Sequence, residues 1–306
     1  MQGNRTEIDS LLSALRHVLA LPDATLEAVL ATVIAGGHLL IEDVPGVGKT
    51  LLAKSLASAL GLGFRRVQFT PDLLAGDLLG ASLYVPSDGS FRFNPGPVFT
   101  HVLLADEINR ASPRTQSGLL EAMEEAQVSV EGETYPLPDP FFVIATQNPL
   151  AFEGTFPLPE VQLDRFMTAV SLGYPSYEDE FALLEGRHGA AVSVPPWPPQ
   201  ALAAWKQAAG NVHVAPALRD YLLAVVRASR LWPGVTLGIS PRGALAWQAL
   251  AKAHAVLKGR DFLTPDDLKA TASWALPHRL VLEGESALPR KRQVIAEILA
   301  QQAVPR

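Results

Sequence analysis

The chain has 306 residues, 48% hydrophobic and 18% charged, a balance that makes a folded globular protein and excludes wholesale disorder. Its 25 Lys and Arg against 31 Asp and Glu give a net charge of −6, which argues against nucleic-acid partners held by phosphate neutralisation. The absence of cysteine removes disulfides, thiolate zinc sites, iron–sulfur clusters and cysteine nucleophiles together.

Two amphipathic helices open the chain. Ile8, Leu11, Leu12, Leu15, Val18 and Leu19 fall at helical spacing before Pro22, and residues 25–35 form a second helix stopped by Gly36-Gly37. The first nine residues carry Arg5, Glu7 and Asp9 rather than a signal peptide's apolar core. The longest charge-free apolar stretch, residues 28–41, has 14 residues, whereas a membrane span needs about 20. The expectation is a cytoplasmic protein. Short apolar strands then alternate with helices: strands at 38–41, 64–69, 102–106, 141–146 and 167–172, with helices at 49–60 and 113–125. Solidly apolar strands in this alternation predict a central parallel five-stranded sheet covered by helices, an α/β fold.

Two inserts interrupt the alternation. Residues 72–98 hold a short helical pattern and a hairpin about Asp88-Gly89, flanked by Tyr84/Val85 and Phe91/Phe93. Residues 127–137 read as a second hairpin about Glu131-Gly132. Prolines 175, 195, 196, 198 and 199 bracket a helix near 177–186 and mark a linker. The division is therefore 1–175, a linker at 176–199, and 200–306, read as helices only, with caps at Ser240 and Thr264 followed by Pro241 and Pro265. Trp197, Trp205, Trp232, Trp247 and Trp274 are read as packing this last part, and Arg290-Lys291-Arg292 as a solvated helix face.

The chemistry concentrates at the carboxyl ends of the strands. Pro45-Gly46-Val47-Gly48-Lys49-Thr50-Leu51 lies between a strand and a helix. Gly46 and Gly48 allow backbone N–H groups to curl around phosphate oxygens. Lys49 can reach the β- and γ-phosphates, and the Thr50 hydroxyl can ligate Mg²⁺. The general pattern has Gly where Asp43 stands. Val102-Leu103-Leu104-Ala105-Asp106-Glu107 is an apolar strand ending in paired carboxylates. Asp106 would hold Mg²⁺ through water, and Glu107 would act as general base toward the attacking water. Asn148, in Thr146-Gln147-Asn148-Pro149, could orient that water or touch the γ-phosphate; taken alone, it reads first as a turn former before proline. Seven scattered histidines lack metal-ligand spacing, and Phe91, Phe93 and Phe99 are read as packing within the insert.

With these residues in view, the sequence resembles the MoxR family of AAA+ ATPases, in the group that includes the magnesium-chelatase ATPase subunit. The stretches that carry the resemblance include residues 38–50, Gln68-Phe69-Thr70-Pro71-Asp72, Asp106-Glu107-Ile108-Asn109-Arg110-Ala111, Leu120-Glu121-Ala122-Met123, Ala145-Thr146-Gln147-Asn148-Pro149, Glu153-Gly154-Thr155, Pro157-Leu158-Pro159-Glu160 and Leu163-Asp164-Arg165-Phe166. Asp43 fits this family, while Ala151-Phe152 departs from it. The resemblance implies an AAA+ P-loop domain with a small all-α lid domain and Mg-ATP as cofactor. It implies Asn148 as the sensor 1 residue and Arg165 as the arginine finger that reaches a neighbouring subunit. It also implies that Arg242, in Ser240-Pro241-Arg242, is the sensor 2 residue on the phosphates of its own subunit. Arg110 and Arg114 remain unassigned. It further implies self-assembly into a ring, a hexamer, with the inserts facing the pore, and a chaperone-like role on a client and a von Willebrand factor A domain partner. Alternatives are a magnesium-chelatase-like motor for metal insertion, a DNA-acting AAA+ motor, a P-loop kinase and a non-hydrolysing binding module. Lys49, Thr50, Asp106 and Glu107 together speak against the last.

Overall fold

The computed structural model describes residues 2–87, 89–149, 154–185, 197, 199–284 and 287–305. Asp88, Ala151-Phe152, Glu153, Gly186 and most of the proline-rich linker lie outside the described residues.

Helices α1 (Gln2–Val18) and α2 (Asp23–Ile34) lead into β1 (Leu39–Glu42) and α3 (Lys49–Ala59). Next come β2 (Phe64–Gln68), α4 (Ala75–Leu79), β3 (Gly80–Val85), β4 (Ser90–Pro95), β5 (Val102–Asp106) and α5 (Pro113–Glu125). The second hairpin is β6 (Gln127–Val130) with β7 (Glu133–Pro136), followed by β8 (Phe142–Gln147), α6 (Glu160–Leu163), β9 (Thr168–Val170) and α7 (Tyr177–Leu184). The remainder is α8 (Pro199–Asn211), α9 (Pro216–Ser229), β10 (Val235–Leu237), α10 (Pro241–Leu257), α11 (Pro265–Ala275), β11 (Val281–Leu282) and α12 (Leu288–Gln301).

Five strands form one parallel sheet in the order β2-β5-β8-β1-β9. The period-2 alternation of side chains sorts each strand between two cores. Leu39, Ile41, Val102, Leu104, Phe142, Ile144 and Val170 enter the larger core. Leu40, Leu103, Ala105, Val143, Ala145 and Ala169 enter the smaller one, under α5 and the inserts. Burial on both faces is why the central strands read as unbroken apolar runs. The edge strand β2 escapes that demand and exposes Arg65 and Arg66.

His38 ties three elements together. Its Nδ1 accepts the Val143 N–H at 3.0 Å, so its Nε2 donates to the Met123 carbonyl, also at 3.0 Å. The ring is buried, and desolvation lowers its pKa from 6.5 to about 4.

The larger core continues from α1–α3 into α8–α12 through Trp205, Trp247, Leu250, Leu268 and Ile298. Ser240 and Thr264 cap α10 and α11 as the sequence predicts. Two expectations need correction. The C-terminal part is helical but adds the antiparallel ribbon β10–β11, whose strands of three and two residues are too short to leave a pattern. Arg290-Lys291-Arg292 is solvated only at Arg290: Lys291 is buried, and the half-buried Arg292 donates to the Ala169 carbonyl at 3.4 Å. The two cations face Glu42, whose carboxyl is pushed up by burial and pulled back by them.

The two inserts pack on each other. Phe93 of β4 stacks on Tyr135 of β7 with centroids 3.9 Å apart, and Phe99 meets Phe93 edge-on. Phe91 does not pack inward; it is 69% exposed beside Tyr84 at the hairpin's outer end.

Candidate functional site

The loop after β1 is shaped by backbone torsion. Gly46 and Gly48 have φ of 91° and 90°, with open space where a Cβ would stand, so the left-handed torsion alone demands glycine there. Gly48 is also the N-cap of α3, and no side chain caps that helix. Its first-turn N–H groups therefore remain available to an anion, and the helix dipole adds positive potential.

Asp43 anchors the loop at its start. Its Oδ2 accepts N–H bonds from Leu172 at 2.7 Å and Gly173 at 2.8 Å, and an O–H bond from Ser171 at 3.0 Å. Its Oδ1 accepts the Val44 N–H at 2.9 Å. A glycine could do none of this. The side chain fastens the loop to the chain leaving β9. Lys49 Nζ donates to the Asp43 carbonyl at 2.8 Å. Burial lowers the Lys49 pKa, while Asp43, Asp106 and Glu107 oppose the shift.

Across a cavity of about 260 Å³, Lys49 and Thr50 face Asp106 and Glu107, with Pro45, Gly46, Gly48, Leu51, Arg66 and Gln68 completing the wall. Thr146 links both acids: its hydroxyl donates to Asp106 Oδ1 at 2.7 Å and accepts the Glu107 N–H at 2.8 Å. Glu107 has φ 57°, a left-handed torsion uncommon for a non-glycine residue and held here by that bond. Its Oε2 receives Gln68 Nε2 and Arg110 Nη1, each at 3.1 Å. Asp106 Oδ2 receives Arg66 Nη2 at 2.6 Å and Nε at 3.1 Å. Among the described residues, no group of three His, Cys, Asp or Glu side chains gathers as a closed metal site. A Thr hydroxyl and an Asp carboxylate on one phosphate-sized cavity nevertheless fit Mg²⁺, a hard cation that takes one or two protein oxygens beside water and phosphate.

A second, mostly apolar cavity of about 130 Å³ adjoins the loop, lined by Val18, Leu19, Ala20, Leu21, Val47 and Pro175 together with Gly46, Gly48 and Leu51. All seven residues from Pro45 to Leu51 thus line one cavity or the other. Asn148 follows β8 directly and is half-buried, but lines neither cavity. Arg114 is exposed in the first turn of α5.

Arg165 and Arg242 lie elsewhere, together. Arg165 Nε pairs with Glu124 Oε2 at 3.0 Å, and Arg242 Nη1 with Glu124 Oε1 at 3.0 Å. Neither arginine lines the cavity at Lys49. Arg242, which the resemblance assigns to its own subunit's phosphates, pairs here with Glu124.

The family model "ATPase family associated with various cellular activities (AAA)" matches residues 38–168, and the AAA lid domain model matches residues 227–298. Chaperone MoxR1 of Mycobacterium tuberculosis is 40% identical over 301 residues, covering 92% of this chain and 78% of the relative. YeaC of Bacillus subtilis is 44% identical over 281 residues, covering 90% and 88%. A crystal structure of a candidate ATPase from Cytophaga hutchinsonii superposes with a TM-score of 0.89 at 34% identity, covering 100% of this chain and 97% of the other. The phosphate loop, the acidic strand end and the helical lid define an AAA-type, nucleotide-binding ATPase. Within that class, the chain belongs to the MoxR family of AAA+ ATPases.

Sequence reasoning missed Arg66, Gln68 and Glu124 as parts of these sites and took Thr146 only as a neighbour of Asn148. Gln68 had a usable signal. It ends β2 just as Asp106 ends β5, and parallel pairing sets the two side by side.

Proposed function

We propose that the chain is a Mg-ATP-hydrolysing motor that remodels or activates a partner protein. The observation that carries this reading is the single cavity on which Lys49 and Thr50 face Asp106 and Glu107. The triphosphate lies along residues 45–51, with the α3 N-terminus and Lys49 neutralising its charge. The apolar slot beside Val18, Leu21, Val47 and Pro175 takes the base. Thr50 and Asp106 hold Mg²⁺, which when bound neutralises charge developing on the phosphates. Glu107 removes the proton of the attacking water at its carboxylate, Thr146 holds the Glu107 backbone, and Gln68 and Arg110 meet the carboxylate itself. Asn148 helps orient the water.

Arg165 serves the nucleotide of a neighbouring subunit, and Arg242, bonded to the same carboxylate, is assigned to that neighbour as well. This makes a ring, a hexamer by family resemblance, part of the proposal. The division into a nucleotide domain to residue 175, a linker and a lid from residue 200 belongs to it too. The client and the von Willebrand factor A domain partner rest on the resemblance, and the cytoplasmic setting is proposed from the sequence. The acidic balance favours a protein over DNA as the object of the work.

Calorimetry with Mg-ATP and steady-state hydrolysis test the reading on the parent and on Glu107→Gln. The variant is expected to bind as the parent does while turnover falls by about 100-fold or more. Folded protein that takes up no nucleotide would overturn the proposal. Unchanged turnover in Glu107→Gln would remove the assigned base.

A further inference from the structure

Three guanidinium groups and two carboxylates meet where the lid touches the segment between α6 and β9. Asp164 stands at the centre. Its Oδ2 accepts the Ser240 hydroxyl at 2.7 Å, and its Oδ1 accepts Arg279 Nε at 2.6 Å. Arg279 is almost wholly buried. Its Nη2 donates to the Phe166 carbonyl at 2.7 Å and the Asp164 carbonyl at 3.2 Å, and its Nη1 donates to the Met167 carbonyl at 3.1 Å and to that of Ala275. The residues on either side of Arg165 are therefore fastened to the lid. Ser240 caps α10, whose second residue is Arg242. Gly243 leaves the passage for Arg279: a Cβ there would stand 2.8 Å from Arg279 Cδ. Arg165 and Arg242 are thus delivered as one preset pair.

The pair closes on a single partner, Glu124 in the last turn of α5, one arginine to each oxygen. The Glu124 side chain is 41% exposed, so each contact is weak and exchangeable. The five groups carry one positive charge in excess. We propose that Glu124 is a resident stand-in for phosphate. It holds Arg165 and Arg242 together in the lone subunit and competes with the triphosphate bound at Lys49 of a second copy. Docking of that copy transfers both arginines from carboxylate to phosphate. Glu124 is a positioning residue and touches no substrate. The inference rests on the assignment of both arginines to a neighbour.

The test measures assembly rather than turnover. In a Glu107→Gln background, which keeps Mg-ATP intact, sedimentation follows oligomer formation as ATP is titrated. Removing the competitor by Glu124→Gln is expected to lower the ATP concentration at half-assembly by about threefold to tenfold, the worth of two exposed ion pairs. The shift is expected to vanish when Arg165→Ala and Arg242→Ala are also present. A half-point that is unchanged or raised by Glu124→Gln overturns the stand-in role, as does a shift that survives loss of both arginines. If the Arg165→Ala/Arg242→Ala protein, with Glu107 restored, assembles and hydrolyses like the unmodified chain, the assignment to a neighbour falls first and the stand-in with it.

Discussion

Asp43→Ala asks whether the carboxylate at the head of the phosphate loop is structural. The side chain is buried and, besides the local bond from the adjoining Val44 N–H, accepts two backbone N–H bonds from a distant segment, from Leu172 and Gly173, beside the Ser171 hydroxyl. Its loss leaves both amides without this acceptor. An abandoned buried donor costs about 1–3 kcal/mol. Leu172 is buried and suffers fully, whereas Gly173 is only half-buried and recovers part of its loss from water. The sum is about 3 kcal/mol of stability. Asp43→Asn keeps one oxygen and loses the charge, which costs about 1 kcal/mol, the difference between charged and neutral acceptors. Lys49 bonds to the Asp43 carbonyl, which both variants retain, so its own hold on the loop survives. Urea unfolding of the parent and the two variants measures the order, and calorimetry with Mg-ATP reports the loop. A stable Asp43→Ala protein, within about 0.5 kcal/mol of the parent, would refute the anchoring argument.

Thr146→Val removes the donor to Asp106 Oδ1 and the acceptor of the Glu107 N–H without changing side-chain size. Hydrolysis is expected to fall by about tenfold or more while ATP affinity, which resides in residues 45–51, stays close to the parent's; equal turnover would show that the Glu107 backbone needs no support. A third prediction concerns His38, whose neutral form is the one the fold bonds. With the pKa lowered from 6.5 to about 4, the unfolded chain takes up its proton first as pH drops. The stabilising contribution is complete above about pH 6.5 and is lost progressively toward pH 4, by about 3 kcal/mol in all. Urea midpoints across that window should fall more steeply for the parent than for His38→Gln, and parallel slopes would contradict the assignment.

The local pattern of the sequence determined the alternating strands and helices, the two hairpin inserts, the glycine loop before α3 and the acids ending β5. Each of these depends on residues within a few positions of one another. Periodicity shows which faces are apolar, and the spacing of Gly46, Gly48, Lys49 and Thr50 carries their phosphate chemistry directly. Only the tertiary structure decided what those elements touch. The bond from Arg242 to Glu124 spans 118 residues and that from Arg279 to Asp164 spans 115. No local signal distinguishes either pair from the many other charges in the chain. The same reason defeated the reading of Arg290-Lys291-Arg292: a run of cations marks a polar helix face, but not that another element covers it. Gln68 and Thr146 are ordinary polar residues until strand register sets them against Asp106 and Glu107. Chain-local physics chose the parts. Long-range packing chose their partners, because loop closure over a hundred residues adds little cost per residue and leaves burial and charge to select the contact.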